Sequence, residues 1–209
     1  MIDEKLAMLN PATCRFDLGR GGIPALTPQD LAAAIGMTPD GLGRELLIAS
    51  GWPDASDTRR IVGLACALAE VEMRRQVEER TREGMRYALD RWHDGHRARP
   101  MQAIPGWPRT ACERMPAIAV ACAAEATQRA LCPDCDGRGH RMLDALSVPC
   151  TTCRASGIVP VSDRARARMI GIDESTYRRD GWMPVYGWML RTMMDALLDA
   201  RRSLRRAAA

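Results

Sequence analysis

The sequence predicts a mainly α-helical protein: a helical body with an inserted four-cysteine finger, followed by a helix-turn-helix and a long C-terminal helix. Three observations carry that expectation. Apolar residues recur at three- and four-residue steps in two long segments, about 57–92 and 183–206, as one face of a helix requires. Cysteines arrive as two CxxC pairs, Cys132 with Cys135 and Cys150 with Cys153, with fourteen residues between the pairs. Two capping residues, Ser162 and Asp173, stand on either side of Gly171 at the spacing of two short helices joined by a tight turn. The resulting divisions are an N-terminal arm over 1–25, the helical body over 26–130, the finger over 131–158, and the helix-turn-helix module with its C-terminal helix over 159–209.

Residues 1–25 hold Pro11, Gly19, Gly21, Gly22 and Pro24 without sustained periodicity and read as a loosely structured arm. Thr27 then stands ahead of Pro28 as a cap ahead of a first-turn proline, and Thr38-Pro39-Asp40 nearly repeats the arrangement, predicting short helices over 28–36 and 39–50. Only Arg44 would be basic on the second of these, so the pair reads as packing rather than DNA recognition. Gly51, Pro53 and Asp54 break the pattern. From Asp57, itself a good cap, Ile61, Leu64, Ala65, Leu68, Val71, Met85, Leu89 and Trp92 form one apolar stripe, with a charged run over 74–86 as the solvated face. Residues 93–108 collect glycines and prolines into a loop, where His93 and His96 stand at a spacing that could add metal ligands, but the cysteine set is already complete without them. An alanine-rich helix over 111–130 leads into the cysteines.

A CxxC turn brings two thiolates within reach of one metal ion, and a second turn completes a tetrahedral sulfur shell; zinc is the metal expected for such spacing. Small residues follow each pair, Gly137 and Gly139 after the first, Ala155 and Gly157 after the second, so backbone amides can fold beneath the sulfurs and donate to them. The expected site is one structural Zn2+ on Cys132, Cys135, Cys150 and Cys153. A closed shell leaves no place for His140 or Asp144 and no open position for a reacting water, so no enzymatic activity is expected. Metal binding would supply roughly 10–16 kcal/mol of folding free energy to a finger with little apolar core of its own. Cys14, Cys66, Cys112 and Cys122 lack motif spacing and are expected as buried thiols.

Past the finger, Ser162 caps one helix, Gly171 supplies a left-handed turn, Ile172 is expected to anchor the core, and Asp173 caps a second helix. The surface so formed would offer Ser162, Arg164, Arg166, Arg168, Glu174, Ser175, Thr176, Arg178 and Arg179 to double-stranded DNA, with Tyr177 packing inward. Charge agrees with this placement: residues 162–209 hold ten arginines against six carboxylates, an excess equal to the +4 of the whole 209-residue chain. In the last helix Val185, Trp188, Met189, Met193, Leu197 and Leu204 make the apolar face. The longest uncharged apolar stretch, 115–124, is far short of the roughly 20 residues a bilayer helix needs, and the N-terminus lacks a signal-peptide pattern, so a cytoplasmic protein without membrane partners is expected.

The knuckle Cys132 to Gly139, the early helix Asp30-Leu31-Ala32-Ala33-Ala34-Ile35-Gly36-Met37, and the stretch Val161 through Tyr186, with Thr176-Tyr177-Arg178-Arg179 and Pro184-Val185-Tyr186, resemble the Q antitermination proteins of lambdoid phages, of the phage lambda type. The likeness covers about 180 residues at low identity, and Ala155 stands where that family often has glycine. The resemblance implies a phage- or prophage-encoded protein of the host bacterial cytoplasm. It would bind a DNA site at a phage late promoter and load onto host RNA polymerase holoenzyme paused through its sigma factor. The polymerase would then read through terminators, with the host elongation factor NusA as a further partner and no catalysed reaction. A zinc-dependent regulator acting by promoter occupancy alone is the alternative. The cysteine-rich chaperone modules that also use CxxCxGxG repeat the motif four times, where this chain has two copies.

Overall fold

The structure, a computed structural model, describes residues 28–94, 107–108, 110–128, 131–143 and 146–207. The arm over 1–25 with Cys14, most of the loop expected over 93–108 with His96, and Asp144 lie outside the described residues. In chain order the elements are α1 (Pro28–Gly36), α2 (Leu42–Gly51), a 3-10 turn (Pro53–Ala55), α3 (Thr58–Asp94), α4 (Ala111–Thr127), the strands β1 (His140–Leu143) and β2 (Leu146–Pro149), α5 (Asp163–Met169), α6 (Glu174–Arg179) and α7 (Trp182–Ala207). The protein is mainly helical. Among the described residues no helix is long and apolar enough to cross a membrane.

Three helix starts follow local chemistry. Asp57 receives the amides of Arg59 and Arg60 at 2.9 and 3.2 Å, Ser162 that of Ala165 at 3.2 Å, and Asp173 that of Thr176 at 2.9 Å, so each side chain satisfies donors that a first turn leaves free. Thr38 departs from the expectation. Its hydroxyl donates back to Ala34 O at 3.2 Å and finishes α1, and α2 starts three residues late at Leu42, behind Gly41.

The core centres on α7, whose Trp182, Val185, Tyr186, Met189, Met193, Leu197, Ala200 and Leu204 are buried. On one side lies α2, brought close because Gly43 has no side chain: a Cβ there would sit 2.3 Å from Ala196 O. On another lies α4, which buries Met115, Ile118, Ala119, Cys122 and Ala126 at helical spacing. Trp107 meets Trp188 edge to face at 5.0 Å and pins its short segment to α7.

α3 corrects the predicted stripe. Ile61, Ala65 and Ala69 are buried, while Leu68, Val71, Met85 and Leu89 are exposed. The four-residue step from Ile61 carries the packed line through two alanines, which let α3 approach α4 closely; the larger residues fall on the outer side. Two further expectations shift by position. Ile172 packs against the core as expected but is only half-buried; Ile170, 2% exposed, is the deeper anchor before the second short helix. Cys122 is buried as expected and Cys66 half-buried, but Cys112 is exposed, because Ala111 and Met115 occupy the core side of that turn.

One continuous core runs from Ala34 to Leu204 and includes Ala167, Ile170 and Tyr177. The helices that follow the finger therefore share their interior with those that precede it. The four cysteines form a separate buried cluster.

Candidate metal centre and candidate nucleic-acid interface

The finger is two copies of one turn placed face to face. In each, the residue five positions after the first cysteine sends its amide back to that cysteine's carbonyl, Gly137 to Cys132 at 3.2 Å and Ala155 to Cys150 at 2.9 Å. The turns then lock reciprocally: Cys132 N–H donates to Gly157 O at 2.9 Å and Cys150 N–H to Gly139 O at 2.8 Å. Beneath the sulfurs, Gly139 N–H donates to Cys135 Sγ at 3.3 Å and Gly157 N–H to Cys153 Sγ at 3.2 Å, the donors the sequence predicts. Left-handed backbone occurs at matching places, Asp136 and Arg154, Gly137 and Ala155, Gly139 and Gly157. At the last pair only glycine fits. A Cβ on Gly139 would lie 2.4 Å from Ala155 O, and one on Gly157 would lie 2.2 Å from Gly137 O.

All four Sγ atoms lie within 4.8 Å of one another and are buried. A tetrahedral sulfur site with bonds of about 2.3 Å has sulfur–sulfur edges of about 3.8 Å; the pairs Cys132–Cys150 and Cys135–Cys153 stand at 3.9 and 3.7 Å. These separations are far from the ~2 Å of a disulfide and match ligands around one ion. The donor set fits a metal, and the four cysteines could hold one. The thiols differ electrostatically: burial raises the Cys132 pKa to about 11, whereas the knuckle amides, that of Cys153 foremost, lower Cys150 to about 7. Thr152 donates to Asp134 Oδ2 across the two turns, joining equivalent positions outside the sulfur shell. His140 is exposed, its Nδ1 2.6 Å from Arg138 O, and stands apart from the cluster.

From β1 and β2 the hairpin pairs His140 with Pro149 and Leu143 with Leu146. None of its described residues is buried, and the buried cluster of the finger is the four cysteines.

Beyond the finger, α5 and α6 meet at Gly171, whose φ of 72° provides the left-handed turn. Arg114 of α4 holds that turn, donating to Ile170 O at 2.9 Å and to Gly171 O at 3.3 Å while lying over the Trp182 ring. Tyr177 is fully buried and meets Tyr186 edge to face at 6.1 Å, so α6 is anchored by one aromatic residue with its polar residues outward. Burial pushes the Tyr177 hydroxyl up to about 12.

The nine residues expected to face DNA separate into distinct groups. Arg166 does not join that surface. It turns inward, clasps Glu125 of α4 through Nε at 3.1 Å and an Nη at 2.6 Å, and lies over the Tyr186 ring, whose hydroxyl also donates to Glu125 at 2.9 Å. Ser162 is spent on its cap. Ser175 and Thr176 donate their hydroxyl protons to Asp173 at 2.5 and 2.6 Å, which holds that carboxyl well below the usual range. Arg178 bridges Asp163 at 3.2 Å and Glu174 at 2.9 Å, and Arg179 pairs with Asp180 at 2.8 Å. Arg164 and Arg168 are exposed without an ion-pair partner among the described residues. Glu125 and Arg114, 41 and 56 residues from their partners, carried no local signal in the sequence.

Comparison with protein-family models and with curated proteins finds no match to this chain.

Proposed function

We propose that this protein is a zinc-stabilised, DNA-binding transcription factor in which α5, the Gly171 turn and α6 act as a helix-turn-helix. The observation that carries the reading is α6 itself: a short polar helix, capped by Asp173 and anchored by buried Tyr177, with the turn before it held by Arg114 and with Glu174, Arg178 and Arg179 on its outer side. Exposed Arg164 and Arg168 on α5 supply cationic contacts for phosphates. The resemblance to the lambdoid Q proteins gives the reading its finer form, antitermination of phage late transcription by loading onto sigma-paused RNA polymerase.

Zinc is the proposed occupant of the four-cysteine site, since an all-thiolate tetrahedral shell with sulfur–sulfur edges near 3.8 Å suits it. When bound it supplies cross-linking energy to the finger and no reactive position. The surrounding amides of Gly139 and Gly157 would then carry part of the thiolate charge.

The test is transcription with purified bacterial RNA polymerase holoenzyme on a phage late-promoter template followed by a terminator, paired with a footprint of the promoter. A protected promoter site with terminator readthrough is expected. Protection without readthrough would sink antitermination and leave a regulator acting by occupancy; absence of protection would sink DNA recognition.

A further inference from the structure

The arginines of the α5–α6 surface are of two kinds, and the difference assigns them different tasks. Arg164 and Arg168 are exposed and have no carboxylate partner among the described residues. Arg178 is 59% exposed yet fixed from both sides: its Nε donates to Asp163 of α5 at 3.2 Å, and an Nη is ion-paired at 2.9 Å with Glu174, one turn earlier on α6. A guanidinium has five donors; one is committed to a hydrogen bond with Asp163, and the ion pair with Glu174 adds a second restraint, so the fork keeps free donors while two carboxylates hold it in place. For an arginine serving phosphates such an arrangement is counterproductive, because both carboxylates repel the DNA backbone and cancel the charge that attracts it. For an arginine reading a base it is useful: guanine presents O6 and N7 in one plane, and a fork held in advance loses less freedom on docking.

We infer that Arg178 is the base-reading residue of the helix pair, directed at a guanine in the major groove and positioned by Asp163 and Glu174, while Arg164 and Arg168 contact phosphates. This rests on the DNA-binding reading above. Asp163 and Glu174 contribute specificity at the expense of affinity for mixed-sequence DNA.

The experiment is selection of binding sites from a random duplex library by the full-length, metal-loaded chain, followed by affinities against salt concentration on the selected and on mixed-sequence duplexes. The parent is expected to enrich a site containing at least one fixed guanine. Arg178→Lys keeps the charge but not the fork, and should lose on the order of tenfold discrimination at that one position with the other positions and the salt slope retained. Asp163→Asn with Glu174→Gln should blur the same position and tighten binding to mixed-sequence duplex. Arg164→Ala and Arg168→Ala should each lower the salt slope by about one without changing the site. The inference is overturned if Arg178→Lys leaves every base preference intact, or if Arg178→Ala weakens all sequences alike and lowers the salt slope by about one. DNA binding itself survives both of those results. If the parent enriches no site and does not bind mixed-sequence duplex, the DNA-binding reading falls, and this inference with it.

Discussion

Replacing Gly157 by alanine tests whether the reciprocal packing of the two knuckles shapes the metal site. The residue sits at φ 75°, where an L side chain costs roughly 1–2 kcal/mol. Its new Cβ would lie 2.2 Å from Gly137 O, more than an ångström inside ordinary contact, and the obstacle is backbone rather than a side chain that could rotate away. Relief means pulling Gly157 back from the first turn and twisting it within its own, which lengthens the bond its carbonyl accepts from Cys132 N–H at 2.9 Å and strains the one its amide donates to Cys153 Sγ at 3.2 Å. At about 1 kcal/mol for each weakened hydrogen bond, the total is roughly 3–4 kcal/mol, or a metal affinity about a hundred- to a thousandfold lower. Competition for zinc against a colorimetric chelator measures it directly. The paired control is Ala155→Gly, at the position equivalent to Gly137 and already left-handed at φ 64°. Relief of strain there outweighs the entropy of glycine by about 0.5–1 kcal/mol, so affinity should rise slightly. If Gly157→Ala held zinc within about threefold of the parent, the close approach of the two backbones would not govern the site.

Removing the metal with a strong chelator should release one zinc per chain and abolish the order of the finger while far-UV circular dichroism keeps most of its helical signal. The cysteine cluster shares no residue with the helical core, and cooperative loss of the helices would contradict that separation. For the clasp on α5, a double-mutant cycle with Glu125→Gln and Arg166→Met should give a coupling of about 1–3 kcal/mol in urea unfolding. The side chains are only 12% and 24% exposed, so a coupling near zero, as for a solvated surface pair, would refute the clasp. The Asp173 carboxyl should titrate well below its unfolded value of about 3.9 in an NMR pH series. Because its folded value is depressed, the stabilisation it gives α6 is complete above the unfolded value and is lost only as pH falls through the folded one. Ser175→Ala and Thr176→Ala should each raise the midpoint; an unmoved midpoint would show that the hydroxyls do not hold the carboxylate.

The parts of the fold legible in the sequence are those governed by a few neighbouring residues. Ser162 and Asp173 cap within three positions, the CxxC turns bring their sulfurs together through local geometry, and Gly171 reverses the chain by itself. The apolar face of α7 was legible for a related reason, as its residues repeat over seven turns with one side covered throughout. The stripe of α3 misled because periodicity says which residues share a face, not how far along the helix a neighbour covers it; Leu68 and Met85 are exposed although the pattern ranked them with Ile61. Thr38 misled because two turns competed for one hydroxyl, and the helix behind it won.

By itself, then, the sequence determined the two cysteine turns, the short helices around Gly171 and the long closing helix, since each depends on contacts a few residues apart. Tertiary structure decided which charges remain available. Arg164, Arg166, Arg168 and Arg178 are alike in the sequence. They part company because Glu125 arrives beside Arg166 from 41 residues away, Asp163 reaches Arg178 across the turn, and Arg164 and Arg168 meet no carboxylate among the described residues. A guanidinium's task is set by whatever the fold brings within about 3 Å of it, which depends on how distant helices pack against one another.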